Sequence, residues 1–264
     1  MADYDLIVIG AGAAGLSVAA GAAQLGVKVA LIERDRMGGD CLNFGCVPSK
    51  ALLAAGHAAE AARRAGRFGI RLPEPEVDWH AVRAHVHAAI AAIAPNDSEE
   101  RFRALGVEVL RGEAKFAAAD AVSIGGRTLS ARHIVVAAGT TAFVPPIPGL
   151  AEIPFWTNAS LFDLTEKPSH LLILGGGPIG LEMADAFSGL GCAVTVVEGA
   201  SIANRDDPEL VDGLRAALTA RGIVMHEGVA VAAVEPGPVL VLADGRRVAG
   251  SHLLVAVGRR PSLA

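Results

Sequence analysis

The chain has 264 residues, 52% hydrophobic and only 4% aromatic, with a formal net charge of −5. Such a length accommodates two domains with real cores, while scarce aromatics and the lack of a Lys/Arg cluster exclude a base-stacking or polyanion-binding surface, so no nucleic-acid partner is expected. Three cysteines are too few for a structural disulfide framework, and nothing directs secretion, which predicts a cytoplasmic protein.

In chain order, Leu6–Ile9 reads as a buried parallel strand. Leu6 to Ala23 has the length and apolarity of a membrane span, but four glycines interrupt it. A dinucleotide turn explains them better, so no membrane partner is expected. Gly10-x-Gly12-x-x-Gly15 opens a helix-period stretch, and a β-rich run follows, ending at Glu33. An insertion from about Arg36 to Leu105 holds Cys41, Cys46 and Ala-rich helical sequence. His80, His85 and His87 lie on a helix there, on a solvated face without metal-site spacing. Val107 to Leu129 reads as an antiparallel meander turning at Gly125-Gly126, and His133–Gly139 as a strand running into glycine. Pro145, Pro146 and Pro148 stiffen the connection that follows, and the domain boundary is placed there.

The pattern then repeats. His170 to Glu198 aligns without a gap on Asp5 to Glu33, placing Gly175, Gly177, Gly180, Gly191 and Glu198 on Gly10, Gly12, Gly15, Gly26 and Glu33. A second meander spans about Val229 to Val248 with an Asp244-Gly245 turn, and His252–Gly258 closes the copy. In each βαβ unit the first glycine permits the tight turn, the second lets backbone approach a pyrophosphate, and the third packs helix on strand. The helix N-terminus attracts the phosphates, and the terminal Glu meets a ribose diol. The fold class is therefore α/β: two Rossmann-like dinucleotide-binding domains, each a parallel sheet with a small antiparallel meander. Glu198 would repel a 2′-phosphate, and Gly199-Ala200-Ser201 rather than Arg follows it, which favours NAD over NADP in the second site. Arg205 keeps NADP open.

Cys41 and Cys46 lie five residues apart, slightly more than one helical turn, so on a distorted helix they come within disulfide range. A helix N-terminus and Lys50 would stabilise a thiolate. No further Cys or Cys/His pair with ligand spacing completes a zinc site, so no metal is assigned. Cys192 reads as a buried packing residue.

The segment GGDCLNFGCVPSK at Gly38–Lys50, both glycine fingerprints, AAGTTAFVPPIPG at Ala137–Gly149 and VAVGRRP at Val255–Pro261 occur in one order. Together they resemble the class I pyridine nucleotide–disulfide oxidoreductases, a family that includes dihydrolipoyl dehydrogenase, glutathione reductase and mercuric reductase. The resemblance covers essentially the whole chain. Phe155-Trp156-Thr157 and Asp206-Asp207-Pro208 look closer to the mercuric reductase branch. The resemblance implies an FAD-binding domain over 1–147, including the redox-disulfide helix, and an NAD(P)-binding domain over 148–264. It assigns Gly10, Gly12, Gly15, Glu33, Gly39, Gly139 and Thr140 to FAD, and Gly175, Gly177, Gly180, Glu198 and Gly258 to the nucleotide sites. Cys46 would face the flavin as a charge-transfer thiolate and Cys41 would meet substrate. Lys50 would lie near flavin N5, paired with Glu182, and if that pair were buried its loss would cost about 3–5 kcal/mol. Hydride would pass from NAD(P)H to flavin and electrons on to the disulfide, ending on a small disulfide or thiol-reactive substrate such as mercuric ion.

Full members of the family continue past the GRRP motif into another FAD-contacting segment and a dimerisation domain that supplies a His–Glu pair. The full-length form is therefore expected to be a homodimer, and this chain a monomer. Two alternatives stay open beside the reductase: a nucleotide-binding module with little turnover, and an NADH diaphorase or oxidase.

Overall fold

A computed structural model describes residues 2–263. Strand β1 (Tyr4–Ile9), helix α1 (Ala13–Gln24) and strand β2 (Val29–Glu33) form the first βαβ unit. Helices α2 (Gly39–Asn43), α3 (Cys46–Arg64), α4 (Trp79–Ile93) and α5 (Glu99–Ala104) follow, then strands β3 (Glu108–Arg111), β4 (Lys115–Ala118), β5 (Ala121–Ile124), β6 (Arg127–Val136) and β7 (Thr140–Ala142). The second copy comprises α6 (Asn158–Leu161), β8 (His170–Leu174), α7 (Pro178–Gly189), β9 (Ala193–Val197), α8 (Pro208–Ala220), β10 (Val224–His226), β11 (Val231–Glu235), β12 (Val239–Leu242), β13 (Arg247–Ala249), β14 (His252–Val255) and β15 (Arg259–Pro261).

The chain packs as two units. One gathers the chain up to Pro48, Ala88–Thr141 and the chain from Pro261 on; the other holds Ser49–His87 and Ala142–Arg260. In the first unit a six-stranded sheet runs β3-β2-β1-β6-β5-β4. Alternation along its strands feeds two cores. Val8, Leu31 and Val109 pack with Leu16 and Ala19 of α1 and with Phe102. Ile7 and Ile32 pack with Val122, Ile124 and Leu129 of the meander. Strand β6 serves both parts: its first half pairs antiparallel with β5 and its second half parallel with β1. The expected strand at His133–Gly139 is thus the far half of a longer one. The expected meander also begins later than Val107, because β3 takes Glu108–Arg111 into the parallel ladder beside β2. Leu6 to Ala23 forms a strand and a helix, and among the described residues no helix is long and apolar enough to cross a membrane.

In the second unit β10-β9-β8-β14 form a fully parallel sheet, and β11-β12-β13 a separate antiparallel one. The strand equivalent to β6 is broken at Gly250, where a Cβ would stand 2.5 Å from Leu172 Cγ. The Asp244-Gly245 turn joins β12 to β13, with Gly245 N–H donating to Leu242 O at 2.9 Å. Leu172, Leu174, Leu240, Leu253 and Val255 build the core between the sheets.

The insertion helix α3, from Ser49 on, belongs with this second unit rather than with the first nucleotide fold, a grouping that differs from the expected division near residue 147. The cause is a close helix crossing. A Cβ on Gly56 would stand 2.7 Å from Ala186 O, and a Cβ on Gly189 2.7 Å from Gly56 O, so α3 and α7 meet backbone to backbone. Arg63 Nη1 donates to Gly189 O at 2.6 Å, and Trp79 of α4 lies against Phe187 with ring centroids 5.8 Å apart. Helix α7 is consequently buried at Leu181, Met183, Ala184, Ala186 and Phe187, whereas α1 buries only Gly15, Leu16 and Ala19. Gly56→Ala is expected to cost about 2–3 kcal/mol by wedging this crossing apart. Gly21→Ala, on the open face of α1 with nothing within 4 Å, should gain about 0.5–1 kcal/mol. Denaturant unfolding of the two variants checks both signs.

Candidate functional site

The two glycine turns are built alike, bond for bond. Gly10 N–H donates to Ile32 O at 2.8 Å and Gly175 N–H to Val197 O at 2.9 Å. Glu33, buried at the end of β2, accepts from Ala11 N–H at 2.6 Å and from Asp35 N–H at 2.7 Å. Glu198 accepts from Gly176 N–H at 2.7 Å and from Ala200 N–H at 2.9 Å. Each carboxylate braces its own turn with one oxygen and the outgoing loop with the other, and both oxygens keep lone pairs for a further donor. A strap closes each turn five residues after the Glu: Gly38 N–H donates to Ala11 O and Ala203 N–H to Gly176 O, both at 2.9 Å. Both strap residues are left-handed, Gly38 at φ +82 and Ala203 at φ +46. Ala203 is the one non-glycine among the described residues with positive φ. In the sequence Gly38 falls opposite Ala203, and an alanine gives no sign of left-handed backbone.

The three fingerprint glycines differ in what they meet. A Cβ on Gly10 would lie 2.3 Å from Ala137 O, and on Gly175 2.4 Å from Ala256 O; on Gly15 and Gly180 it would lie 1.8 and 2.1 Å from the carbonyl of the first glycine. Those four are required by packing. The middle pair is not. Gly12 and Gly177 hold ordinary extended backbone, φ −80 in each. A Cβ on Gly12 would find only Gly39 Cα at 3.8 Å, and on Gly177 nothing within 4 Å. The space over each helix N-terminus is open, and a Cβ would project into it. Beside the first turn lies a cavity of about 150 Å³ lined by Gly10, Glu33, Arg34, Glu113, Phe116 and Val136.

The thiols sit in the first unit. They are not on one distorted helix, as expected, but on two. Cys41 lies on α2, Cys46 opens α3, and Phe44-Gly45 breaks the chain between them. Gly45 permits the fold-back, because a Cβ there would lie 3.1 Å from Asp40 O and 3.4 Å from Cys41 Cα. Gly39 seats α2 on the nucleotide turn: its Cβ would stand 2.6 Å from Gly12 Cα. The structure carries both cysteines as thiols. Burial, together with its thiol hydrogen bond to Cys46, pushes Cys41 up to about 11, against the pull of a backbone hydrogen bond from Cys46. Cys41 is half-buried and Cys46 exposed. Cys192 is buried as expected, and burial pushes it up to about 11.

In the second unit Lys50 pairs with Glu182, and Ser49 Oγ donates to the same carboxylate at 3.2 Å. The Lys50 side chain is 68% exposed, so the cost expected for a buried pair does not apply. Gly139 and Gly258 are left-handed, at φ +69 and +128, and exposed with Thr140. His80 and His85 are exposed on α4, and His87 is half-buried near Asp163 at 3.5 Å. Because exposed ion pairs contribute little, Lys50→Met and Glu182→Gln should each change unfolding free energy by less than about 1 kcal/mol in a urea titration.

The comparisons with known proteins agree with this geometry. The model of the pyridine nucleotide-disulphide oxidoreductase family matches residues 4–264. A mercuric reductase of Streptomyces lividans is 36% identical over 269 residues, covering 97% of this chain and 57% of that protein. Dihydrolipoyl dehydrogenase 3 of Pseudomonas aeruginosa is 37% identical over 280 residues, covering 99% of this chain and 59% of that protein. Among solved structures, the HOCl-induced flavoprotein disulfide reductase RclA from Escherichia coli gives a TM-score of 0.83 at 28% identity, covering 99% of this chain and 58% of that one. This chain therefore spans somewhat more than half the length of these relatives. With the twin glycine turns, the thiol pair and the matched family model in agreement, the chain belongs to the pyridine nucleotide-disulphide oxidoreductase family.

Proposed function

We propose that this chain binds FAD at the first glycine turn and a nicotinamide dinucleotide, NAD in preference to NADP, at the second, and passes two electrons to the Cys41–Cys46 pair. The observation that carries this reading is the open space at Gly12 and Gly177, the two glycines that packing does not require. A pyrophosphate fits there against helix N-terminal amides, and the Glu33 and Glu198 carboxylates can each accept a ribose hydroxyl beside the backbone amides they already hold. The cavity next to Glu33 suits the adenosine end of FAD.

Flavin, when bound, supplies the two-electron relay from NADH to sulfur. The chain's own part is to orient and to hold protons. Two electrons and one proton, together the hydride equivalent taken from NADH, break the S–S bond; one sulfur is left as thiolate and the proton goes to Cys41, whose half-buried thiol resists ionisation. The reduced pair then returns its electrons to an external disulfide, forming two product thiols with its own proton and one more from solvent, or to a thiol-bound metal ion, as the names of the mercuric reductase relatives suggest. Lys50, one helical turn after Cys46 on α3, holds its charge against Glu182. The acceptor is a small molecule in either case.

The nucleotide sites are separable by mutation. Gly12→Ala and Gly177→Ala should each leave unfolding unchanged within about 0.5 kcal/mol. The first should lose FAD, and the second should weaken NADH at least about tenfold while keeping FAD, because a Cβ would occupy the pyrophosphate space. Retained affinity in both variants, measured by flavin absorbance and fluorescence titration, would contradict the assignment. In the same titration NADH should bind more tightly than NADPH, and Arg205→Ala should weaken NADPH alone.

A further inference from the structure

We propose that Asp97 is a positioning residue for the thiol pair: its carboxylate, held against Gly38 at the head of the helix that carries Cys41, biases the negative charge of the reduced pair onto Cys46. The motifs give no hint of this, since Asp97 is far from both cysteines in sequence. A short 3-10 helix, Ala94–Asp97, delivers it to the first unit. Asp97 Oδ2 lies only 3.0 Å from where a Gly38 Cβ would stand, and Gly38 is the residue before α2, the five-residue helix Gly39–Asn43. Gly38 thus has a second duty besides its left-handed strap. Lacking a Cβ, it leaves room first for the Leu42 side chain, whose Cδ2 and Cβ would lie 2.3 and 2.6 Å away, and then for the carboxylate at the head of α2.

The sign follows from Coulomb's law. An anion beside a thiol disfavours the thiolate. Of the charged groups around Cys41, Cys46 on α3 and Asp97 oppose its ionisation, and the Asp40 carboxylate lies at the same fold-back, 3.1 Å from the place of a Gly45 Cβ. Asp97 is itself half-buried, and burial raises its own pKa, with Arg101 pulling the other way. Arg101 is partly engaged elsewhere, donating to Asn96 O and lying over the Phe102 ring. The carboxylate thus sits beside Gly38 at the head of the helix that bears Cys41, with Arg101 opposing its effect. With flavin bound as proposed, Cys46 would carry the thiolate and Cys41 the proton. The functional meaning of the inference rests on the reading of the thiol pair given above; the electrostatic claim itself does not.

The test needs neither flavin nor turnover. In a Cys46→Ser background, the rate of iodoacetamide alkylation of Cys41 is followed against pH by mass spectrometry of its peptide, with buried Cys192 as a slow internal reference. Asp97→Asn should shift the Cys41 profile down by about half a pH unit and raise the rate at pH 8 roughly twofold, the gain in thiolate being partly offset by its lower nucleophilicity. Arg101→Gln, which removes the charge opposing Asp97, should slow the reaction. Asp97→Glu should restore the parent profile. A general loosening of the fold would accelerate alkylation in both Asp97→Asn and Arg101→Gln, so the opposite signs separate electrostatics from disruption. An unchanged or upward-shifted profile in Asp97→Asn, or acceleration in Arg101→Gln, overturns the inference. A chain that shows these shifts but binds no FAD refutes the proposed function and leaves the role of Asp97 standing.

Discussion

Two carboxylates hold this protein's architecture in register. Glu33 and Glu198 each accept one backbone N–H from the glycine turn and one from the loop that leaves the strand. Hydrogen bonds to a charged acceptor contribute about 1.5–3 kcal/mol each, more than the neutral bonds around them. They tie the strand end, the turn and the departing loop into one bracket. With the bracket fixed, the first and third glycines are forced by contact and the helix N-terminus points at a set place. The middle glycine is left with room above it. A ligand with a pyrophosphate and a ribose diol matches what remains: open space, unpaired helix amides and a carboxylate with lone pairs to spare.

The same bracket also explains how two copies of one unit diverge. Both outgoing loops return to the turn through a left-handed residue whose N–H meets the same carbonyl. In the first copy that residue is Gly38, and the chain runs straight into α2 and the thiol pair. In the second it is Ala203, which pays about 1–2 kcal/mol of backbone strain, and the chain instead reaches Asp207, whose side chain caps α8. The thiol pair thus follows directly on a loop that already passes close to a glycine turn. A second divergence lies in the closing strands. Strand β6 runs unbroken from meander to parallel sheet, while Gly250 splits its counterpart and frees the second meander as a sheet of its own.

Much of this was legible in the residues. Ungapped repetition from Asp5 to Glu33 exposed both βαβ units, because glycines that must avoid carbonyls and a carboxylate that must hold amides tolerate few alternatives at fixed spacing. The hairpin at Gly125-Gly126 and the turn at Asp244-Gly245 were legible from local turn chemistry. Three features were not. The break at Phe44-Gly45 depends on how closely Gly45 can approach Asp40, and spacing alone reads the same five residues as a single helix turn. The grouping of Ser49–His87 with the second unit rests on Gly56 of the Ala-rich α3 meeting Gly189 of α7, two glycines outside any motif. The exposure of Lys50 and the arrival of Asp97 beside Gly38 are tertiary events with no periodic trace.

The most direct measurement is a crystal structure of the chain grown with FAD and NAD⁺. The account places one pyrophosphate within hydrogen-bond distance of the backbone over Gly12 and another over Gly177, with ribose hydroxyls on Glu33 and Glu198. Dinucleotide density lying elsewhere, or a structure in which those carboxylates abandon their backbone amides to make room, would contradict it.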